Sequence, residues 1–454
     1  MRHLLRLFFV TAVFVPALAM AQTMESANDA LANMRVGWNL GNTLESKSND
    51  TTNMWIEAWT PRKPENYETA WGQVRATPEL MQMMHDAGFN AIRVPVTWFP
   101  HMKETWKLGG SNGATWSPSA DPIDSTVNRE WMKRVHEVVD YVINTGMYCI
   151  LNVHHDTGAN NNAWLVADGN TFAKTEAYYK ALWRQIANEF KDYGDHLVFE
   201  AYNEMLDKYD SWCFASFAAP GRYNKAVADD AYNAINNYAQ TFVDVVRSTG
   251  GNNSQRNLIV NTYGSCDGRG NWNTHLTDPL TQMKRPTDSA TGHIIFEVHS
   301  YPDVSNLQNA KNEVDGEFNK LTTYLASKGA PVIIGEWGAS DGNAYTNNKQ
   351  NLIDFARYFV ENAKSHGFTT FYWMGLSDGQ DRAVPQFTQP DLRDAIIKGY
   401  YGEGGYTGIK SITSANESVS QHDGAIYNVM GQRLNSVPQH GIYIRNGKKY
   451  VAGK

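Results

Sequence analysis

The stretch from Thr77 to Pro95 reads TPELMQMMHDAGFNAIRVP. Thr77 is placed to cap a helix that Pro78 opens and Gly88 closes, and Ala91 to Val94 follows as a short apolar run of strand length. The same alternation recurs along the chain. Strand-like runs occupy Val36 to Leu40, Ala91 to Val94, Tyr148 to Val153, Leu197 to Ala201, Leu258 to Asn261, Ile294 to Val298, Val332 to Ile334 and Thr370 to Trp373. Between them lie helical stripes. These are Trp131, Val135, Val138, Val139 and Val142 before Gly146; Ile235, Ala239, Phe242 and Val246 before Gly250; Phe318, Leu321 and Leu325 before Gly329; and Leu352, Phe355, Ala356, Phe359 and Ala363 before Gly367. Strands that alternate with helices make a parallel sheet, because the crossover helix returns the chain to the end where the next strand starts.

Eight such runs in 454 residues predict a closed (β/α)8 TIM barrel in preference to an open doubly wound sheet. Gly37 and Gly41 lack the spacing of a dinucleotide-binding loop, which lowers the open-sheet alternative further. Long loops rich in Asn, Gly and Trp, at Ser46 to Gln73, His101 to Asp124, Asp156 to Asn170 and Asp207 to Tyr223, all follow strand C-terminal ends. That face of a barrel carries active sites.

The flanks have a different character. Arg2 and Arg6, an apolar stretch from Leu7 to Val15 and small residues up to Ala21 predict a cleaved secretory signal at 1–21, too short in its apolar part to span a bilayer. Its removal makes the net charge of −7 still more negative, so an exported, acidic protein with no nucleic-acid partner and no membrane span is expected. The catalytic domain is expected at 22–401. Residues 402–454 then read as a glycine-rich link, Gly402 to Gly408, and a small β tail with Asn446-Gly447 as a two-residue hairpin turn. About fifty residues are too few for a robust core of their own, so the tail is expected to be an accessory module or an address. Three cysteines allow at most one disulfide, and Cys149, in an apolar run, is expected as a small buried hydrophobe.

Chemistry concentrates at strand ends. Tyr202-Asn203-Glu204-Met205 and Ile334-Gly335-Glu336-Trp337 each place a glutamate after an apolar run. Two carboxyl groups facing each other across one cleft are what glycosidic cleavage requires: one protonates the leaving oxygen, the other attacks or stabilises the cationic sugar carbon. A single glutamate of this kind is ordinarily a solvated surface charge. Here Arg93, His154-His155, Asn203, His299, Tyr301 and Trp373 occupy the other strand ends, where the strand pattern alone would stay apolar. Aromatic residues make up 12% of the chain, and flat rings stack on the apolar faces of sugars.

These strings, together with Gly37-Trp38-Asn39-Leu40-Gly41-Asn42, Ile92-Arg93-Val94-Pro95-Val96, Asn152-Val153-His154-His155, Val298-His299-Ser300-Tyr301 and Tyr372-Trp373, resemble glycoside hydrolase family 5, the cellulase family of retaining barrel enzymes. The resemblance runs from about Met34 to Tyr400, with the motifs in the family's order. It implies Glu204, after strand four, as acid/base and Glu336, after strand seven, as nucleophile. It also implies site roles for Arg93, His154, Asn203, His299, Tyr301 and Trp373. Met205 departs from the more usual Pro, which puts the local loop shape in question.

Physical chemistry assigns each a task. Arg93 and the Tyr301 hydroxyl are suited to keep Glu336 ionised, Asn203 to donate to the sugar 2-hydroxyl, His154 and His299 to orient these groups, and Trp373 to form a stacking floor. For Arg93, a structural salt bridge inside the barrel is an equally good reading. Asn42, His155, Trp337, Trp98, Trp164 and Trp212 are expected to bind substrate. Trp55, Trp59 and Trp71 sit among the same loops, where loop packing competes with the role of sugar platform. No metal and no cofactor is expected, since His154-His155-Asp156 lacks the further ligands a site would need. The expected partner is a β-linked polysaccharide. The leading activity is a secreted endo-β-1,4-glucanase cleaving with retention. Mannan, xyloglucan, lichenan and xylan stay open as alternative backbones, as does transglycosylation, and a non-catalytic carbohydrate-binding barrel is the reading of another class. In the tail, Tyr427 to Arg433 followed by Gly441 to Ile444 is similar to the sorting segments of proteins exported by the type IX system, which implies a contact with secretion machinery.

Overall fold

A computed structural model of the protein describes residues 24–48, 55–56, 63–102, 106–108, 114–116, 125–158, 163–212 and 223–406, and in the tail 426–428, 433–434, 436–437, 441–445 and 448–452. The expected signal segment, Trp59, Cys213 and the turn Asn446-Gly447 lie outside the described residues.

Eight parallel strands close into a barrel: β1 (Val36–Asn39), β2 (Ala91–Val94), β3 (Tyr148–Asn152), β4 (Leu197–Glu200), β5 (Leu258–Asn261), β6 (Ile294–Ser300), β7 (Val332–Trp337) and β8 (Thr369–Trp373), with β8 pairing back onto β1. Helix α1 (Ala27–Met34) precedes them. The long crossover helices are α2 (Pro78–Ala87), α3 (Arg129–Ile143), α4 (Gly169–Glu189), α5 (Lys225–Ser248), α6 (Leu307–Tyr324), α7 (Lys349–Ser365) and α8 (Pro390–Tyr401). Between β5 and β6 there are a 3-10 turn, Tyr263–Ser265, and a short α-helix, Asp278–Gln282, too brief to leave a periodic stripe in the sequence. The opening stretch folds as its residues dictate. The Thr77 side chain accepts the Leu80 N–H at 3.3 Å, and Gly88, at φ 110°, ends α2 in the left-handed conformation that costs a glycine nothing.

Alternation along the strands then places the site. Ala91, Tyr148, Ile150, Val198, Ile259, Ile295, Ile333 and Phe371 share one buried cluster with Ala27, Ala30, Leu31 and Met34 of α1, which plugs the barrel's lower end. At the next inward position of the first six strands stand Asn39, Arg93, Asn152, Glu200, Asn261 and Glu297, all fully buried. The barrel interior therefore changes from apolar to polar within one step.

Strand β7 breaks the alternation. Val298 of β6 aligns with Ile334, but the next residue, His299, aligns with Glu336, so Gly335 is one residue too many. On the other side, Thr370 aligns with Ile334 and Tyr372 with Trp337. A bulge of this kind re-aims the side chains beyond it. Glu336 turns inward, and Trp337 turns outward to stack on Phe359 of α7 at 4.4 Å and 18°. The substrate-binding role expected for Trp337 is corrected here: its ring is fully buried between sheet and helix.

Two compact units divide the chain, Met1–Gly408 and Ile409–Lys454. The second is a four-stranded antiparallel sheet of β9 (Ile426–Asn428), β10 (Arg433–Leu434), β11 (Gly441–Arg445) and β12 (Lys448–Ala452) in the order β10-β9-β11-β12, with Arg445 opposite Lys448. Cys149 is a buried free thiol, and Cys266 is disulfide-bonded. Among the described residues, no helix is long and apolar enough to cross a membrane.

Candidate active site

Arg93 organises the barrel's upper interior from β2. Its Nε and Nη2 grip both oxygens of Glu200 at 2.6 and 2.7 Å, while Nη1 donates to Glu336 Oε1 at 2.7 Å and to Asn39 Oδ1 at 3.0 Å, and Nη2 also donates to Asn203 Oδ1 at 2.8 Å. Glu297 Oε1 lies 3.3 Å from Nε. One planar, permanently charged fork thus holds three buried acids and two amides, a task for which lysine lacks the geometry. Both readings offered for Arg93 therefore meet in one network: it is a structural ion pair, and it touches Glu336.

Glu336 is held from three sides. Besides Arg93, the Tyr301 hydroxyl donates to Oε2 at 2.8 Å, and His154 Nε2 stands 3.9 Å from Oε1. Burial pushes the Glu336 carboxyl up, His299 and Arg93 pull it down, Glu204 pushes it up again, and Tyr301 pulls it down. The expectation that Arg93 and Tyr301 favour the ionised form agrees in direction, but burial outweighs them. His299 is the further cation. Its Nδ1 is 2.8 Å from Glu204 Oε1 and 3.5 Å from Glu336 Oε2. Against the cost of burial, Glu336 and the hydrogen bonds to Glu204 and Glu297 lift its titration to about 10. The facing atoms of Glu204, His299 and Glu336 lie within 4.8 Å of one another. With His299 protonated, this set carries its own positive charge.

His154 behaves differently. Asn152 Nδ2 donates to Glu200 Oε1 and faces His154 Nδ1, both at 3.0 Å, so Nδ1 is an acceptor and the ring proton sits on Nε2, toward Glu336. Burial, then His155 and Arg93, depress its titration well below the usual range and keep it neutral. Its ring lies parallel to that of Trp373, 3° apart in plane and 5.8 Å between centroids. Trp373 is half-buried at the β8 end. His155, half-buried, packs against Trp71 at 5.4 Å, and burial followed by Lys47 and Arg93 lowers its titration to about 3. Asn42, also half-buried, takes a left-handed backbone (φ 56°) and donates its N–H to Glu45.

Residues 50–378, well over half of the chain, match the sequence profile described as Cellulase (glycosyl hydrolase family 5). The chain belongs to glycosyl hydrolase family 5. Endoglucanase B of Neocallimastix patriciarum is 32% identical over 393 residues, covering 82% of this chain and 72% of that protein. Among solved structures, a broad-specificity endoglucanase from an uncultured bacterium is 48% identical, with a TM-score of 0.76 over 85% of this chain and 98% of the other. A family 5 enzyme from Prevotella bryantii, in a mutant form bound to a xyloglucan tetradecasaccharide, is 36% identical, with a TM-score of 0.69 over 84% of this chain and 100% of that one.

Within this family 5 hydrolase the expected site residues separate into two groups. Arg93, Asn203, Glu204, His299, Tyr301, Glu336, His154 and Trp373 converge on one cleft. Trp98 and Trp164 do not supply sugar platforms. Trp98 is fully buried, its indole donating to the Asn152 carbonyl at 2.9 Å; Trp164 is buried and donates to Asp156 Oδ1 at 2.7 Å. Asp156 also accepts the Trp98 and Phe99 N–H groups, so it clamps the loops after β2 and β3 together. Trp212 and Trp55, at 43% and 40% exposure, are open to solvent. Two residues escaped sequence reasoning altogether: Glu200 and Glu297. Their signal was present, a glutamate ending each of the apolar runs Leu197-Val198-Phe199 and Ile294-Ile295-Phe296, where only a partnered acid can be buried.

Proposed function

We propose that the chain is a retaining endo-β-1,4-glucanase acting through Glu336 as nucleophile and Glu204 as acid/base. The observation that carries this reading is the spacing of the two carboxylates, whose facing oxygens lie within 4.8 Å. Direct attack needs about 5–5.5 Å between the carboxyl groups, whereas a water-mediated inversion needs about 6.5–9.5 Å. Glu336, oriented by Arg93 and Tyr301, attacks the anomeric carbon while Glu204 protonates the departing oxygen. Glu204 then deprotonates the water that releases the sugar from Glu336. The Asn203 carbonyl oxygen faces Arg93, which leaves its amide N–H groups for the sugar 2-hydroxyl. Trp373 stacks under the sugar at the cleavage point.

The endoglucanase names of the relatives support an internal β-1,4-glucan cut, and the xyloglucan-bound relative supports tolerance of a branched backbone. Reducing-end release from cellulose, lichenan, xyloglucan, glucomannan and xylan ranks these substrates. Proton NMR of the first product reads the mechanism, and an inverted anomer would refute it. Glu336→Gln is expected to lower kcat by about 10⁴-fold or more. With an aryl glycoside whose leaving group needs no proton, Glu204→Gln still forms the glycosyl-enzyme, which mass spectrometry detects.

Export is part of the same proposal. The basic and apolar segment at 1–21 supports secretion, and the motif at Tyr427 to Arg433 with the β tail supports sorting by the type IX route. Fractionating cells that produce the full chain and a chain ending at Gly408 tests both, since retention of the truncated enzyme alone would assign the tail as the address.

A further inference from the structure

The floor beneath the cleft contains an acid to which substrate has no access. Glu297, fully buried on β6, faces Arg93 Nε of β2 and His299 Nε2 of its own strand with one oxygen, Oε1, at 3.3 Å from each. Its other oxygen, Oε2, is buried with no hydrogen-bond partner. The space it occupies belongs by position to β7. A Cβ added to Gly335 would lie 1.5 Å from Glu297 Oε1 and 2.3 Å from its Cδ. The glycine that forms the bulge next to the nucleophile is therefore also the seat of the Glu297 carboxylate.

This arrangement decides the protonation of His299. Arg93 Nε donates its one hydrogen to Glu200 Oε2 and stands beside Glu297 Oε1 as a permanent positive charge, which disfavours a proton on that oxygen. Held beside that cation, Oε1 serves as an acceptor, and His299 Nε2 carries the hydrogen between them. At the other ring nitrogen, Nδ1 faces Glu204 Oε1 and the Glu336 Oε2 that already accepts from Tyr301. Both nitrogens face carboxyl oxygens, and Glu336 Oε2, which accepts from Tyr301, remains an acceptor beside Nδ1 when Glu204 holds the proton it delivers. We infer that Glu297 is a positioning residue for catalysis: it holds His299 as an imidazolium whose Nδ1–H lies between the acid Glu204 and the nucleophile Glu336. The groups facing Glu297 are Arg93, Glu200 and His299; those facing His299 are Glu204, Glu336, Glu297 and, at longer range, neutral His154. The upward push that burial and Glu200 give the Glu297 carboxyl, to about 7, agrees with an oxygen able to take a proton.

The assignment of a catalytic task rests on the glycosidase reading above, but the protonation state does not, and the experiment separates them. In enzyme labelled with ¹⁵N-histidine, with His299 assigned by its loss in His299→Gln, both ring nitrogens are expected to show the protonated-type shift at about pH 8, where free histidine has lost its proton. Glu297→Gln is expected to lower the His299 midpoint by about one pH unit or more and kcat by about tenfold, with KM within about twofold. Glu297→Asp, which keeps the charge, is expected to recover part of both. An unprotonated ring nitrogen in the wild-type spectrum overturns the inference, and needs no variant to fold. An unmoved midpoint in Glu297→Gln overturns it as well. Loss of the glycosidase reading would appear instead as no turnover on any glucan with the spectrum unchanged.

Discussion

Tyr301, at the start of the loop after β6, donates its hydroxyl to Glu336 Oε2 at 2.8 Å across the gap to β7. The bond favours the ionised nucleophile, and it opposes the burial that pushes that carboxyl up. A hydrogen bond to a charged group contributes about 1.5–3 kcal/mol. Tyr301→Phe is therefore expected to cost about 10- to 100-fold in kcat. Because the lost donor lowered Glu336, its removal raises Glu336 further, and the acidic limb of the kcat/KM profile should move to higher pH. A profile with an unshifted acidic limb would show that the hydroxyl does not tune the nucleophile.

Arg93 neutralises acids that water cannot reach. With Glu200 gripped through two bonds and Glu297 and Glu336 also in contact, removing the cation leaves buried negative charge without a partner. Breaking such a network by deleting one side costs about 3–5 kcal/mol. Arg93→Met should lose that much in a urea titration, and Arg93→Lys part of it, since lysine keeps the charge without the fork. Wild-type stability in the methionine variant would mean that the acids are neutral in the resting protein.

The tryptophans divide by what they touch. Trp337 is fully buried against Phe359, and its truncation should cost about 3–5 kcal/mol of stability through the cavity it leaves. Trp373→Ala removes a half-exposed ring at the cleft, so its stability change should stay below about 1 kcal/mol while kcat/KM on oligosaccharides falls. Thermal denaturation alongside kinetics on the same two variants checks the division. Equal stability losses would place Trp373 in the core.

His299 links pH to stability. Its titration in the folded chain, about 10, lies above the ordinary 6.5, so the folded state binds this proton more tightly than the unfolded one. The contribution is fully present below 6.5 and is lost as pH rises through 10. Glu45 and Glu297, both raised to about 7, act with the same sign at lower pH, and the depressed His155, at about 3, acts with the opposite sign below 6.5. Between about pH 7 and 9 the slope is mainly that of His299, before Cys149 and the depressed Arg256 and Arg382 enter. The Tm should fall between about pH 7 and pH 9, and His299→Gln should flatten that fall; an equal slope in both proteins would rule the histidine out as its source.

Much of this molecule is legible in order along the chain. Caps such as Thr77, glycine stops such as Gly88 and apolar runs of strand length are local features, and eight of them in alternation leave a closed parallel barrel as the consistent solution. The glutamates at 204 and 336 and the polar residues at the strand ends could be read because a charge after an apolar run is costly unless something receives it. Strand limits read from pattern agree with the structure to within a residue or two, except on β7, where the strand runs on through Glu336 to Trp337.

What needed the tertiary structure lies at that exception. A period of two assigns faces only while register is kept, and the extra residue at Gly335 reverses the faces beyond it. That slip turns Glu336 into the cleft and Trp337 out of it. At the slip itself, a carboxylate on the neighbouring strand, Glu297, fills the place of a side chain at 335, so the extra residue is a glycine. Nor can a linear pattern state that Arg93 reaches Glu200, Asn203 and Glu336, residues more than a hundred positions away in sequence. The sequence by itself determined the strand order and which residue types stand at the barrel's upper end. Only closure of the barrel decided which of them face one another, because those contacts form between strands distant along the chain and obey the geometry of the closed sheet.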